Sequence, residues 1–345
     1  MRFGRIATLL ALAVAVTCVL AGGCTRPTEI VTSVWPVATS EATMAPPAGV
    51  GRYPLTGLQA TDGAVVPAVP VCVKVHDDGS TSPFGVGVAD VVYETADSGS
   101  GTQLACLYSS SDAPKVGPLG QAGMPDLWIV PQYRAMLFSA GATASIAASM
   151  KSWPGRSNGS ADVGAPFSPA YGSRNGGYVR GPVALGLAVQ FSASVTSSTA
   201  AHLRFSASSG STATPISAVT IPFVAGRTVE WRWDHTSGKY VRRVNGKARY
   251  DSATGKRISA RNVVVIWARY AVLDPDLAGG GGFDVTLGGS GQVSVFRNGQ
   301  RLDGRWKADG SSPPHFTAED GSAIALSPGN TWFEAIPLSA NITLR

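Results

Sequence analysis

Few side chains in this sequence are spaced for chemistry, and they fall into two groups. The first is acidic. Asp77-Asp78-Gly79 follows an apolar run, and Glu94 ends another, Asp90-Val91-Val92-Tyr93. Two carboxylates held about 5–10 Å apart in a cleft could share acid and base roles in glycoside chemistry. The plainer reading is a turn after a strand and a paired acid at a strand end. On either reading His76, Asp77 and Glu94 are the candidate ligand contacts of the first half. The second group is sulfur. Cys72 and His76 lie four residues apart in a strand-like run, about 13 Å at ~3.3 Å per residue, too far for a thiolate–imidazolium pair. Cys72 and Cys106 sit in separate apolar runs, and could be disulfide-bonded or buried as free thiols. No G-x-S-x-G, S-x-x-K, H-E-x-x-H or C-x-x-C pattern occurs. His76, His202, His235 and His315 are scattered, and Asp274-Pro275-Asp276 reads as a solvated turn. No metal and no cofactor is therefore expected.

The N-terminal residues carry an address. Arg2 and Arg5 precede an uncharged apolar stretch, Ile6 to Leu20, followed by Ala21-Gly22-Gly23-Cys24. Fifteen helical residues span about 22 Å, short of a ~30 Å bilayer core, so the stretch reads as a signal peptide over 1–23. The small residues before Cys24 resemble a bacterial lipobox, in which the cysteine thiol receives a diacylglycerol after cleavage. Cys24 is thus the expected lipid attachment site, on the extracytoplasmic face of the cell membrane. Residues 24–52, rich in Thr, Pro, Ala and Ser, form a tether about 30 Å in mean reach.

The densest charge lies at 239–261, where Lys239, Arg242, Arg243, Lys247, Arg249, Lys256, Arg257 and Arg261 face only Asp251. Val244-Asn245-Gly246-Lys247 signals a two-residue hairpin. Counting outward puts Arg242 opposite Arg249, about 5 Å apart at Cβ, where like charges repel. A carboxylate from elsewhere or an external anion must then lie between them. Arg242, Lys247 and Arg249 are candidate anion contacts, for lipid headgroups or anionic wall polymer. A solvated rim is the alternative. Export argues against nucleic acid.

These groups need elements to hold them. The chain has 345 residues, 14% charged and 44% hydrophobic, with 41 Gly and 23 Pro. That composition excludes a coiled coil, a collagen and an acidic disordered chain. Residues 53–205 mix strand runs at 70–75, 89–96, 102–109 and 134–141 with helix candidates at 125–131, 143–151 and 181–191. Residues 152–180 read as a long irregular loop. The Ser, Ala and Thr-rich stretch 206–218 reads as a linker, and 219–345 as six to eight antiparallel strands with a second hairpin at Asn298-Gly299. The fold expected is α+β: an N-terminal mixed α/β domain, then a mainly antiparallel β sandwich or barrel able to fold alone from about Thr220. Tryptophans alternating with charges in EWRWD and VIWARY mark one buried and one solvated face, or a stacking platform.

Several segments in order carry a resemblance: Pro54-Leu55-Thr56-Gly57-Leu58, Ala89 to Glu94, Lys115-Val116-Gly117-Pro118, Tyr240 to Gly246, Gly289 to Gln292, Gly304 to Lys307 and Pro328 to Trp332. They resemble the YerB-like family of bacterial lipoproteins, the DUF3048 domain with its C-terminal partner. The resemblance implies an architecture and an address, not a reaction. Relatives usually carry Arg at positions that align with Ser82, Gln103, Gly120 and Gly123, and a His-Asn pair near Phe167 and Ser168. Any guanidinium grip on an anionic ligand in the first domain is thus largely lost here. The function expected is a lipid-anchored binding or scaffolding module whose partners are the membrane and anionic wall polymer or another envelope protein. A wall glycan or peptide hydrolase and a ligand-delivery protein are the alternatives.

Overall fold

The computed structural model describes residues 51–60, 66, 69–97, 101–111, 113–151, 156–159, 167–168, 177–179, 203–208, 213–223, 226–273 and 282–345. The first half supplies strands β1 (Val71–Asp77), β2 (Val91–Ala96), β3 (Thr102–Tyr108), β4 (Met136–Ser139), β5 (Arg156–Gly159), β6 (Phe167–Ser168) and β7 (Tyr178–Val179). Helices α1 (Asp126–Tyr133) and α2 (Ala144–Lys151) flank β4. Next come β8 (Thr214–Pro215), β9 (Ala218–Pro222), β10 (Thr228–Asp234), β11 (Lys239–Val244), β12 (Lys247–Ala248) and β13 (Ser259–Ala260). The chain then runs through β14 (Asn262–Val272), β15 (Phe283–Thr286), β16 (Gly289–Arg297), β17 (Gln300–Ala308), β18 (His315–Ala318), β19 (Ala323–Ile324), β20 (Thr331–Pro337) and β21 (Thr343–Leu344).

The described chain is mostly β, in mixed sheets. One sheet of 13 strands runs β19-β18-β17-β16-β14-β20-β2-β3-β1-β4-β5, with β15 beside β14 and β8 beside β17. A sheet of six runs β12-β11-β10-β9-β21, with β13 on β11. The strands after residue 261 do not close on themselves as an independent sandwich. Instead β20 pairs in parallel with β14 on one side and with β2 on the other, Val91 opposite Thr331 through Glu94 opposite Glu334. One pleated surface therefore crosses the composition shift at 206–218, where β8 itself pairs with β17. The inner face of this surface packs on the six-stranded sheet. Val73, Val75 and Trp332 from one side share a buried cluster with Ile221, Trp231 and Tyr240 from the other.

Local sequence explains most elements. β14 is apolar from Val263 to Ala268, and β20 is apolar on either side of Glu334, as strands covered on both faces largely are. Both Asn-Gly hairpins form with positive φ at each central residue, 47° and 75° at Asn245-Gly246 and 53° and 70° at Asn298-Gly299. That is the type I′ geometry that matches strand twist. The predicted pairing of Val244 with Lys247 and Arg243 with Ala248 is observed. The Thr143 hydroxyl accepts the Ile146 N–H at 3.4 Å and caps α2. The supposed loop 152–180 holds β5, β6 and β7 instead, with β5 parallel to β4. Backbone pairing on a sheet edge asks little of the side chain, so a Gly, Ser and Asn-rich composition hid it. The helix expected at 181–191 lies outside the described residues.

Period-two alternation also settles the cysteines. Cys72 faces Leu107 across β1 and β3, and Cys106 faces Val73. The one-residue offset sends the two thiols to opposite faces of the sheet. No disulfide joins them; both are free and buried, and burial pushes both thiols well up in pKa, away from nucleophilic use. On the outer face of β1, Lys74 donates to Asp126 at 2.9 Å, both buried, and pins α1 to the sheet.

The seam argues against the expected autonomy of the C-terminal part. A fragment beginning at Thr220 would expose the β2-facing edge of β20. We expect it to aggregate or to lack the strand signal of the intact chain, as read by far-ultraviolet circular dichroism and size exclusion. A monomeric, cooperatively melting fragment would contradict this.

Candidate functional site

The acids and arginines singled out by sequence meet one another. Asp77 ends β1, Glu94 lies in β2 and Glu334 in β20, all on the inner face of the large sheet. Arg227 precedes β10, Arg242 lies in β11 and Arg249 follows β12, all from the small-sheet side. Arg242 Nη2 donates to both oxygens of Glu94 at 2.7 Å, and Nη1 donates to Asp77 at 3.3 Å. Arg227 donates to Asp77 at 2.8 Å and lies 3.6 Å from Glu94. Arg249 donates to Asp77 at 3.0 Å and to the carbonyls of Gly79 and Thr81 at 3.2 and 2.7 Å. Thr102 and the Trp332 indole complete the shell of Glu94, at 2.7 and 3.2 Å, and the Trp231 indole donates to Glu334 at 2.5 Å. The Arg242 guanidinium lies 5.0 Å from the Trp332 ring, a cation–π distance.

Burial and charge pull these groups apart in pKa. Burial pushes Asp77 up, but Arg242, Arg227 and Arg249 outweigh it and hold the carboxyl below its usual range. Burial, then the adjacent Glu94 carboxylate, push Glu334 well above the usual range against the pull of Arg242. Like charges across the β2–β20 pair cannot both be accommodated cheaply, so Glu334 favours the neutral acid hydrogen-bonded to Glu94. Burial lowers Arg242, yet Glu94 and Asp77 raise it further, fixing its charge. Nearby, buried Asp90 accepts the N–H groups of Ser109 and Ser110 at 2.6 and 2.7 Å, and burial still raises it to about 6.

This arrangement corrects the anion-contact reading. Arg242 has no exposed side-chain surface, and Arg249 is 10% exposed. The charge between the two opposed arginines comes from within the chain, from Asp77 and Glu94. Arg243 turns to Glu230 and the Gly246 carbonyl, and Arg261 to the Gly238 carbonyl. Of the three candidate anion contacts Lys247 alone stays exposed, at the hairpin. Asp77 and Glu94 are likewise closed to a substrate. His76 is separate from them: it points to the other face of β1, half-buried, with Nδ1 3.0 Å from Gln103 Nε2, which also donates to Asp97 at 2.8 Å. Gly120 lies against Gln103 and the His76 backbone. Cys24 lies outside the described residues. Arg227 and Glu334 escaped the sequence reading, which includes Trp231 and Trp332 without a role at these acids. The available signal was a lone charge within an apolar alternation, Trp332-Glu334-Ile336 and Tyr240-Arg242-Val244.

Next to this lattice a surface notch of about 420 Å³ opens, lined by Thr81, Ser82, Phe84, Lys115, Tyr178 and Ser252, with Pro118 at its edge. Arg249 fixes its 79–81 wall through the two carbonyls above. Ser252 holds the next residues, its N–H on the Pro83 carbonyl at 2.8 Å and its hydroxyl on that of Ser82 at 3.0 Å. Asp251 holds the N–H groups of Gly85 and Gly87 at 3.1 and 2.6 Å.

A large mixed sheet shared by both halves, locked through arginines to a smaller sheet, defines a two-part protein class. Residues 55–173 match the family described as protein of unknown function (DUF3048), N-terminal domain, and residues 219–333 match its C-terminal domain. The chain belongs to the DUF3048 family. Its fold is similar to that in the crystal structure of YerB protein from Bacillus subtilis, at 21% identity and a TM-score of 0.71, covering 85% of this chain and 99% of that one. Comparison with curated proteins returns no match.

The lattice makes opposed predictions for its two glutamates. Glu94→Gln leaves Arg242 short of a buried countercharge and is expected to cost about 3–5 kcal/mol. Glu334→Gln keeps an acceptor for Trp231 and is expected to stay within about 1 kcal/mol of the native protein at pH 7. A raised carboxyl stabilises fully below its unfolded value, near 4.3, and loses that contribution as pH rises through its folded value. Glu334→Gln should therefore gain on the native protein as pH increases from about 4. Urea unfolding of the three proteins across pH checks both statements.

Proposed function

We propose that this protein is a lipid-anchored module of the extracytoplasmic membrane face that works by binding or scaffolding. One observation carries the reading. Asp77 and Glu94, the acids best placed by sequence for catalysis, are buried and paired with Arg227, Arg242 and Arg249, where they hold two sheets together. A hydrolase would need such a pair open to substrate and water. A rigid two-sheet body on a tether suits a part that presents a surface to another envelope protein or to wall polymer. The exposed cations Lys239, Lys247, Lys256 and Arg257 suit an anionic partner on the hairpin side. Ligand carriage is the second reading, favoured by the notch beside the lattice.

The anchor rests on Leu20-Ala21-Gly22-Gly23-Cys24. Cys24→Ala is expected to abolish incorporation of labelled lipid and to release the protein from the membrane fraction. Crosslinking of the anchored native protein, followed by recovery of its partners, is expected to return envelope components. Lipid labelling that persists in the mutant, or fractionation with cytosolic proteins, would overturn the address.

A further inference from the structure

Lys115 is the cation in the notch, and its surroundings are unusual. The ammonium lies 4.2 Å from the Phe84 ring centroid and 3.7 Å from that of Tyr178, and the two rings meet edge to face at 5.3 Å. Among the described residues no carboxylate lies within salt-bridge distance of it. Asp251, next to the notch residue Ser252, is taken up by backbone N–H groups of Gly85, Gly87, Ala253 and Thr254. A half-buried ammonium that meets ring quadrupoles, with no carboxylate partner among the described residues, is held in place but not neutralised by them.

The frame around it is rigid. Phe84 and Gly117 exchange backbone hydrogen bonds at 2.7 and 3.1 Å, and Val116 and Val179 exchange two at 2.9 Å. Gly117 has φ +151°, and a Cβ there would meet the Tyr178 ring at 2.7 Å. Gly85 has φ +78°, and a Cβ there would meet the Lys115 carbonyl at 2.6 Å. Both glycines let the chain close tightly around the lysine. Thr81, Ser82 and Ser252 share the lining with these rings, and the Ser252 hydroxyl, donating to the Ser82 carbonyl at 3.0 Å, keeps its lone pairs to accept with.

We infer that this notch binds a carboxylated sugar. Lys115 receives the carboxylate, the hydroxyl wall pairs with sugar hydroxyls, and the ring edges and Pro118 cover an apolar C–H face. The volume falls in the range of small-ligand sites, roughly 300–1,000 Å³. The inference deepens the binding-module reading and rests on it.

Calorimetric titration of the full chain with glucuronate tests this, with the methyl ester of glucuronate, glucose and an acetylated tripeptide with a free C-terminus as companions. A dissociation constant on the order of 1 mM is expected for glucuronate. The ester should bind about tenfold more weakly, the difference between a charged and a neutral hydrogen-bond partner. Lys115→Met keeps the aliphatic stem between the rings and should bind acid and ester alike, while Lys115→Arg should keep the preference. Thermal unfolding checks that both variants fold, and the acid–ester comparison on the native protein stands without them. Equal affinity for acid and ester, or binding unchanged in Lys115→Met, would overturn the site. Tighter binding of the tripeptide would overturn the sugar assignment while leaving the binding-module reading in force. No binding by any probe, with envelope partners still crosslinked to the anchored protein, would reject the notch alone.

Discussion

Arg242 is the residue on which the two-sheet body depends. Its backbone belongs to the small sheet, and its guanidinium, without exposed surface, meets Glu94 and Asp77 from the large one. Isolated in that interior, a single charge of either sign would cost several kcal/mol. The sheets must therefore approach so that Arg242 meets Glu94 and Asp77, which turns a nonspecific apolar contact into a registered one. Trp231 and Trp332, ring centroids 5.1 Å apart, fill the space beside the ions and donate their indole N–H groups to Glu334 and Glu94. Most large side chains in this region thus serve packing and polarity together.

The same arrangement shapes the surface next to it. Arg249 spans both environments: one end satisfies Asp77, while its other donors hold the carbonyls of Gly79 and Thr81. The 79–85 segment has little regular structure of its own, yet its carbonyls and N–H groups are anchored by Arg249, Asp251 and Ser252. The notch inherits its shape from charges buried beside it. A substitution deep in the ion lattice therefore reaches the surface through one arginine side chain.

How much of this was legible in the sequence differs by level. Strands β1 to β4, both helices of the first half and the Asn-Gly hairpins were readable, because alternation, apolar runs and φ > 0 turn residues are local signals. The Arg242–Arg249 opposition was readable too, and with it the need for a countercharge. Its source was not, because Asp77 and Glu94 lie far away in sequence and only the sheet order brings them there. The mistaken surface role of Arg242 follows from that gap: charge density in sequence does not reveal which way a strand turns its alternate residues. The sheet seam was hidden for the same reason. β20 looks like any apolar strand until β2 is set beside it, and β5 carries no strand-like composition at all.

The seam between β2 and β20 also governs how the chain can assemble. Trp332 donates to Glu94 across 238 positions of sequence, and the strands they belong to are direct neighbours. Contacts of such separation are among the slowest to form, since a long loop must close before any pairing energy is gained. While the last strands are still being made, β2 and β3 can form their hairpin and β1 can pair with β3, but β2 is left with an open, apolar edge. An open edge of that kind invites strand addition from another chain. The architecture that gives the finished protein one continuous surface thus gives the nascent one a period of vulnerability, which ends only when residues 331–337 take their place.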